Sequence, residues 1–177
     1  VRASRVVTLT GPGGSGKTRP AVGVAEEVAD EHPGGVWFVD LSSLPDPALV
    51  ALTVATAAGI VAPPPSPVLA ALAAGFAGGP TLVLLDNCEH VLDACAALVD
   101  HLARTCEELR VIATSRERLG IAGERVWPVG PLAIETTVDS GDATALAAGA
   151  ARLFVDRARR LRPSFEVTPR NTAAILE

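Results

Sequence analysis

The chain has 177 residues, a formal net charge of −5 at pH 7 and an isoelectric point near 5.2. This acidic balance argues against direct contact with nucleic acid by this segment. The length suits one domain, or one domain and part of a second. Because the sequence starts without Met and stops inside a predicted helix, we expect a piece of a longer protein.

Cysteine content and charge distribution indicate the compartment. An odd number of cysteines without a CxxC pair disfavours a disulfide framework and favours a reducing cytoplasm. Residues 47–85 carry no charge, but prolines and glycines divide this stretch into pieces shorter than the ~20 strongly apolar residues of a membrane span. We therefore expect a cytoplasmic protein without membrane contact. The cysteines are Cys88, Cys95 and Cys106, and no histidine (His32, His90, His101) falls at a metal-ligand spacing with them.

A glycine-rich pattern near the start of the chain predicts a phosphate-binding loop. The apolar or β-branched residues 6–10 predict a buried strand, and residues 21–29 have helical spacing. Between them lies Gly-x-x-x-x-Gly-Lys-Thr, in the strand–loop–helix context that the P-loop motif requires. The loop consists of Gly11, Pro12, Gly13, Gly14, Ser15, Gly16, Lys17 and Thr18.

These residue types suit the phosphates of a nucleotide. Glycines let successive N–H groups turn inward around an anion, and the following helix directs the positive end of its dipole to the same place. Lys17 would reach the β- and γ-phosphates of ATP, and the Thr18 hydroxyl would be a ligand of Mg²⁺. Lys17 is the single lysine beside fourteen arginines, which favours a phosphate site over a plain glycine-rich turn.

The following segments alternate between predicted strands and helices. Strands are predicted over residues 36–41, 81–86, 110–114 and 125–129, and helices over 48–58, 68–77 and 91–104. This alternation predicts an α/β fold with a parallel sheet covered by helices on both faces. Pro20 stands one turn into the first predicted helix, where it would remove the N–H that bonds to Gly16. We therefore expect a local conflict there.

The C-terminal part of the chain is predicted to begin a second domain. Residues 136–143 are polar and form a predicted linker after a nucleotide-binding domain over residues 1–135. An apolar periodicity over residues 145–161 then predicts a helix. We interpret residues 144–177 as the beginning of a helical domain.

Polar residues follow the carboxyl ends of the predicted strands, where parallel sheets bind ligands. Asp86 ends an apolar strand downstream of the loop, which predicts the acid that holds Mg²⁺ opposite Thr18. Arg116 follows the strand over 110–114 and is the favoured contact to the γ-phosphate, with Arg118 as the alternative. We interpret Asp40 as structural.

The residue after Asp86 predicts that ATP hydrolysis is slow. A glutamate at this position would activate water, but the chain has Asn87, and an amide cannot accept a proton at neutral pH. Glu89 is either a base that reaches inward or a cap of the helix that starts near His90. Slow hydrolysis is therefore expected.

Four segments together resemble a known family. They are LTGPGGSGKT, LVLLDNCEHVLDA, VIATSRERLGIAGERVWPVGPL and ARLFVDRARRLRP. In this order they are similar to the STAND/NB-ARC-type regulatory ATPases of bacteria, and above all to the ATPase domain of large LuxR-type and antibiotic-regulator-type transcriptional activators. The resemblance covers nearly the whole chain.

The resemblance implies an ASCE-type P-loop NTPase fold and a switch between ATP and ADP with Mg²⁺. Residues 11–18 would form the phosphate loop, Asp86 would be the Mg²⁺ acid and Arg116 would sense the γ-phosphate. It also implies partners within the parent chain, namely helical, winged-helix, repeat sensor and DNA-binding domains, and nucleotide-dependent self-association.

Two other classes of function remain open from the sequence. A P-loop small-molecule kinase would need an acceptor pocket and a catalytic acid, and neither an arginine-rich lid nor a second acidic cluster is visible in the sequence. A non-catalytic scaffold that binds ADP structurally is the other alternative.

Overall fold

A computed structural model describes residues 3–62, 67–130, 149–168 and 170–176. The chain divides into two compact units, Val1–Gly130 and Pro131–Glu177. The predicted linker over residues 136–143 and the proline-rich residues 63–66 lie outside the described residues.

The first unit contains a five-stranded parallel sheet. Its strands are β1 (Val6–Thr10), β2 (Val36–Asp40), β3 (Thr81–Asp86), β4 (Leu109–Ser115) and β5 (Glu124–Pro128). Their order across the sheet is β2-β3-β4-β1-β5, and every neighbouring pair is parallel. All five predicted strands are therefore confirmed, and their carboxyl ends meet at one edge of the sheet.

The central strands are buried on both faces. β3 is buried at each of its six residues, which explains why its sequence is continuously apolar instead of alternating. Side chains alternate along it, so Leu82 and Leu84 face one side while Val83 and Leu85 face the other. The sheet therefore needs helices on both faces.

Four helices of the first unit cover these two faces. They are α1 (Thr18–Glu27), α2 (Val50–Ala57), α3 (Val68–Phe76) and α4 (Leu92–Thr105). Apolar residues of α2, α3 and α4 pack with Val83 and Leu85 in the larger core, and α1 packs with Leu82 and Leu84 in the smaller one. The predicted arrangement of helices on both faces is confirmed. Short 3-10 turns at Pro47–Leu49 and Cys88–His90 precede α2 and α4.

The conflict expected at Pro20 does not arise, because Pro20 lies in the first turn of the helix. α1 begins at Thr18, and its first intrahelical bond runs from Ala21 N–H to the Lys17 carbonyl over 3.2 Å. Pro20 therefore lies among the first residues of the helix, whose N–H groups have no intrahelical partner in any case. The Gly16 carbonyl accepts a bond from Arg19 N–H instead, at 3.2 Å.

The three cysteines are free and buried. They belong to the larger core, where Cys88 lies against Cys95. The interaction with Cys95 and the burial raise the pKa of the Cys88 thiol, so this thiol stays protonated and behaves as a small apolar group.

The second unit contributes two helices to the described residues. They are α5 (Gly149–Leu161) and α6 (Thr172–Leu176). The predicted helix over 145–161 is described from Gly149 onward. α5 carries four arginines and one aspartate: Arg152, Arg157, Arg159, Arg160 and Asp156. The acidic net charge of the whole chain does not reveal this basic helix. The net charge is therefore a weak guide to the partners of the second unit.

Within the residues that the structure describes, none of the helices has the length and apolar character needed to cross a membrane. The uncharged stretch over residues 47–85 contains the short helices α2 and α3 and most of β3.

Candidate nucleotide-binding site

The glycine-rich loop joins β1 to α1 at the carboxyl edge of the sheet. Gly14 and Gly16 have φ angles of 77° and 82°, a left-handed conformation that glycine adopts without strain. Ser15 N–H donates to the Pro12 carbonyl at 3.2 Å and closes the turn. At Gly11, a Cβ would overlap the Val129 carbonyl that follows β5. Gly14 and Gly16 therefore allow the left-handed backbone of the loop, and Gly11 allows its close packing against the residue after β5.

Lys17 is held inside the loop. Its side chain is buried, and Nζ donates to the carbonyls of Gly11 at 2.9 Å and Pro12 at 3.0 Å. An ammonium group has three donors, so one N–H remains for an anion in the loop. The structure therefore places the Lys17 ammonium within the predicted loop.

Thr18 at the start of α1 and Asp86 at the end of β3 come together. Thr18 Oγ1 donates to Asp86, with distances of 2.8 Å to Oδ1 and 3.0 Å to Oδ2. Two oxygen ligands in adjacent positions of an Mg²⁺ octahedron are ~2.9 Å apart, given metal–oxygen distances of ~2.0–2.1 Å. A hydroxyl and a carboxylate are also the hard oxygen ligands that Mg²⁺ prefers. The residues present therefore fit this metal.

Asp86 is fixed by further donors that the sequence analysis did not identify. The carboxylate is buried, and Thr114 Oγ1 donates to its Oδ1 at 2.6 Å. Asn87 Nδ2 donates to its Oδ2 at 3.0 Å, and Asn87 N–H donates to Thr114 Oγ1 at 3.0 Å. Thr114 is at the end of β4, the strand beside β3, so the sheet itself aligns this network.

Asn87 also ties Asp40 to the site. It has a left-handed φ of 62°, which asparagine tolerates better than most residues, and its Nδ2 lies 3.3 Å from Asp40 Oδ1. The pKa of Asp40 is lowered, first by Ser42 N–H, which donates at 2.8 Å, and in smaller part by Asn87. Asn87, considered in the sequence only as a missing base, therefore links two carboxylates.

Arg116 follows β4 and reaches the loop. Its Nη2 lies 3.3 Å from the position that a Cβ on Gly13 would occupy. Its Nε forms an ion pair with Glu89 Oε1 at 3.3 Å. Glu89 belongs to the 3-10 turn Cys88–His90, and its Oε2 is buried without a hydrogen-bond partner. Both arginines considered are exposed, and Arg116 is the one that lies beside Gly13 of the loop.

A pocket of about 430 Å³ opens beside this ion pair. It is lined by Glu89, His90, Leu92, Arg116 and Glu117. Across the described parts of the chain, no group of three or more His, Cys, Asp or Glu side chains is placed to hold a metal ion by itself. A metal bound by Thr18 and Asp86 would therefore need ligands from outside the protein, such as phosphate oxygens and water.

The sheet order and the loop define a P-loop NTPase fold, and solved structures support this. Cdc6p from Pyrobaculum aerophilum aligns with 74% of this chain and 40% of its own, with a TM-score of 0.55 and 17% identity. A Signal Transduction ATPase with Numerous Domains (STAND) from Pyrococcus horikoshii, which has a tetratricopeptide repeat sensor, covers 97% of this chain and 25% of its own. Its TM-score is 0.53 and its identity 17%.

A third structure has the same fold with nucleotides bound. The ORC2 protein of Aeropyrum pernix, in complexes with ADPNP and ADP, covers 94% of this chain and 48% of its own, with a TM-score of 0.53 and 16% identity. At these identities the likenesses establish the fold alone.

Sequence relatives are found among mycobacterial proteins. A candidate HTH-type transcriptional regulator of Mycobacterium tuberculosis is 41% identical over 174 residues, which make up 98% of this chain and 18% of that protein. An uncharacterised protein of the same organism is 39% identical over 163 residues, 92% of this chain and 38% of its own length. The chain therefore spans well under half of the relatives that it matches. No protein-family model matches the sequence.

Proposed function

We propose that this chain is the nucleotide-binding module of a larger bacterial transcriptional regulator and switches between ATP- and ADP-bound states. The observation that carries the proposal is the meeting of Thr18 with Asp86 at 2.8 Å, beside the buried Lys17. These three side chains converge on a glycine-rich loop at the carboxyl edge of a parallel sheet, where such folds bind ligands.

Each residue has a role that its position supports. The N–H groups of residues 11–18 and the start of α1 would hold the phosphates, with Lys17 as the cation in the loop. Thr18 and Asp86 would hold Mg²⁺, which neutralises charge on the phosphate oxygens when bound. Arg116, whose Nη2 faces Gly13, would contact the γ-phosphate that distinguishes ATP from ADP.

The module is proposed to hydrolyse ATP slowly. Asn87 cannot take a proton from water, and its amide is already engaged by Asp86 and Asp40. Glu89 is the nearest alternative along the chain, but its carboxylate is paired with Arg116. Since neither group is a free base, turnover well below the ~10 s⁻¹ typical of enzymes is expected.

The mycobacterial relative supports the regulatory context. It is a candidate HTH-type transcriptional regulator of which this chain matches 18%, so the parent of this module would carry a DNA-binding domain elsewhere. The fold-level likeness to a STAND protein with a repeat sensor supports the finer proposal: a STAND/NB-ARC-type ATPase of LuxR-type or antibiotic-regulator-type activators. Helical, winged-helix and sensor domains would be its intramolecular partners, with self-association controlled by nucleotide.

A turnover assay separates this function from its two alternatives. The chain would be titrated with MgADP and MgATP by calorimetry, and phosphate release measured with and without small alcohols, amines and carboxylates as acceptors. A switch predicts binding of both nucleotides and slow release that acceptors do not change. Phosphoryl transfer to an acceptor would identify a kinase, and binding of ADP without any release would identify a scaffold.

A further inference from the structure

The Arg116 side chain lies between Glu89 and the phosphate loop. Its Nε pairs with Glu89 Oε1 at 3.3 Å, while Nη2 is the guanidinium atom nearest to Gly13 in the loop. The guanidinium is a planar fork of five N–H donors, so engaging Nε leaves both terminal nitrogens free to donate. With Nε paired to Glu89, the terminal Nη2 is the donor that faces the phosphate loop.

Glu89 is well suited to hold Arg116 because it is more enclosed than its partner. The Glu89 side chain is 24% exposed and that of Arg116 is 64% exposed. The Oε2 atom of Glu89 is buried without a partner, and Arg116 is its one ion-pair partner within the described residues. A partly buried carboxylate with a single cation favours keeping that cation, and the exposure of the guanidinium keeps the pairing modest in energy.

The backbone fixes both ends of this pair. Glu89 follows β3 in the turn Cys88–His90, and Arg116 follows β4, the neighbouring strand. An arginine that is free in solvent loses rotamer freedom when it binds a phosphate. An arginine already held by Glu89 has lost most of this freedom beforehand, so it binds with less entropic opposition.

We propose that Glu89 is a positioning residue: it holds Arg116 by Nε so that Nη2 faces the γ-phosphate, and it thereby sets the preference for ATP over ADP. This inference rests on the proposed nucleotide switch and assigns Glu89 a role other than that of a base. Glu89 itself does not touch the nucleotide.

The test compares MgATP and MgADP binding by calorimetry for the 177-residue chain and two variants. Glu89→Gln keeps the shape and one acceptor oxygen, while Glu89→Ala removes both. We expect MgATP to bind about two- to fivefold more weakly to Glu89→Gln, the factor of an exposed ion pair, and more weakly again to Glu89→Ala. MgADP affinity should not change.

Two controls separate positioning from general effects of charge and stability. Glu117→Gln removes a carboxylate that lines the same pocket, next to Arg116 in the chain, and should leave both affinities unchanged. In an Arg116→Ala background, Glu89→Gln should have no further effect on MgATP affinity, since Glu89 acts through Arg116. Thermal melts of the variants without nucleotide confirm that each is folded.

The outcomes distinguish this inference from the proposed function. Equal MgATP affinity in the parent and Glu89→Gln, or tighter binding by Glu89→Gln, would overturn the positioning role. So would an unchanged MgATP affinity with lower turnover, which would make Glu89 a base. If the parent chain binds neither nucleotide, the proposed function itself fails.

Discussion

Replacement of Arg116 by alanine tests whether this site tells ATP from ADP. The two nucleotides differ by one phosphoryl group, and a ligand shifts a protein between states only by its differential affinity for them. Lys17 lies within the loop and would serve both nucleotides. Arg116, with Nη2 towards Gly13, is the cation that we propose to contact the additional group.

The structure gives the expected magnitude. A hydrogen bond to a charged group contributes ~1.5–3 kcal/mol, about ten- to 150-fold in affinity. Because the Arg116 side chain is 64% exposed, solvent screening favours the lower end, about tenfold. The same substitution removes the ion pair with Glu89 from the fold, so the free energy of unfolding should fall by less than ~1 kcal/mol.

Calorimetry on both nucleotides decides this prediction. Arg116→Ala should weaken MgATP about tenfold and leave MgADP nearly unchanged, and added salt should reduce the difference between the parent and the variant. Arg118→Ala, which removes an exposed arginine two residues away, is the matched control and should change neither affinity. Equal losses for MgADP and MgATP would refute the reasoning and make Arg116 a general phosphate or structural residue.

Three further predictions follow from the same structure. Asp86→Asn should reduce the stimulation of ATP binding by Mg²⁺ about tenfold or more, measured with and without a chelator, and an unchanged Mg²⁺ dependence would remove Asp86 from the metal site. Pro20→Leu should change the free energy of unfolding by less than ~1 kcal/mol, and a gain near ~3 kcal/mol in denaturant titrations would restore the conflict rejected above. Asp40→Asn should destabilise the fold by less than ~1 kcal/mol at neutral pH. Folding lowers the pKa of Asp40, so the loss of stability in Asp40→Asn should disappear as pH falls through the lowered pKa. A loss of stability that persists in thermal melts at acid pH would show that it does not come from the ionised carboxylate.

Local patterns were sufficient to predict most of the sheet and its ends. Residue types at the strands and the glycine loop have local physical causes, so β1 to β5 and the position of Asp86 at a strand end followed from the sequence. The placement of Arg116 beside the loop followed from the rule that parallel strands end at one edge. The exact start of α1 could not be predicted in this way, because helix boundaries depend on single hydrogen bonds. The observed start places Pro20 in the first turn, and this changed its interpretation.

The hydrogen-bond network around Asp86 was beyond the reach of the sequence. It requires β4 to lie between β1 and β3, with Leu85 opposite Ala113, so that the next residue, Asp86, meets Thr114. Such pairings join residues far apart in the chain, and no periodicity reports them. Asn87 appeared in the sequence as a lost base, whereas in the structure its amide joins two carboxylates.

The central claim is that residues 11–18 hold the phosphates of a nucleotide around Lys17, and calorimetry of Lys17→Ala tests it most directly. The variant should lose a charged hydrogen bond, so MgADP and MgATP should both bind about ten- to 150-fold more weakly than to the parent chain. Arg19→Ala, which removes an exposed cation two residues further on, should bind both as the parent does. If Lys17→Ala binds MgADP and MgATP as tightly as the parent chain, the loop is not a phosphate site and the account is wrong.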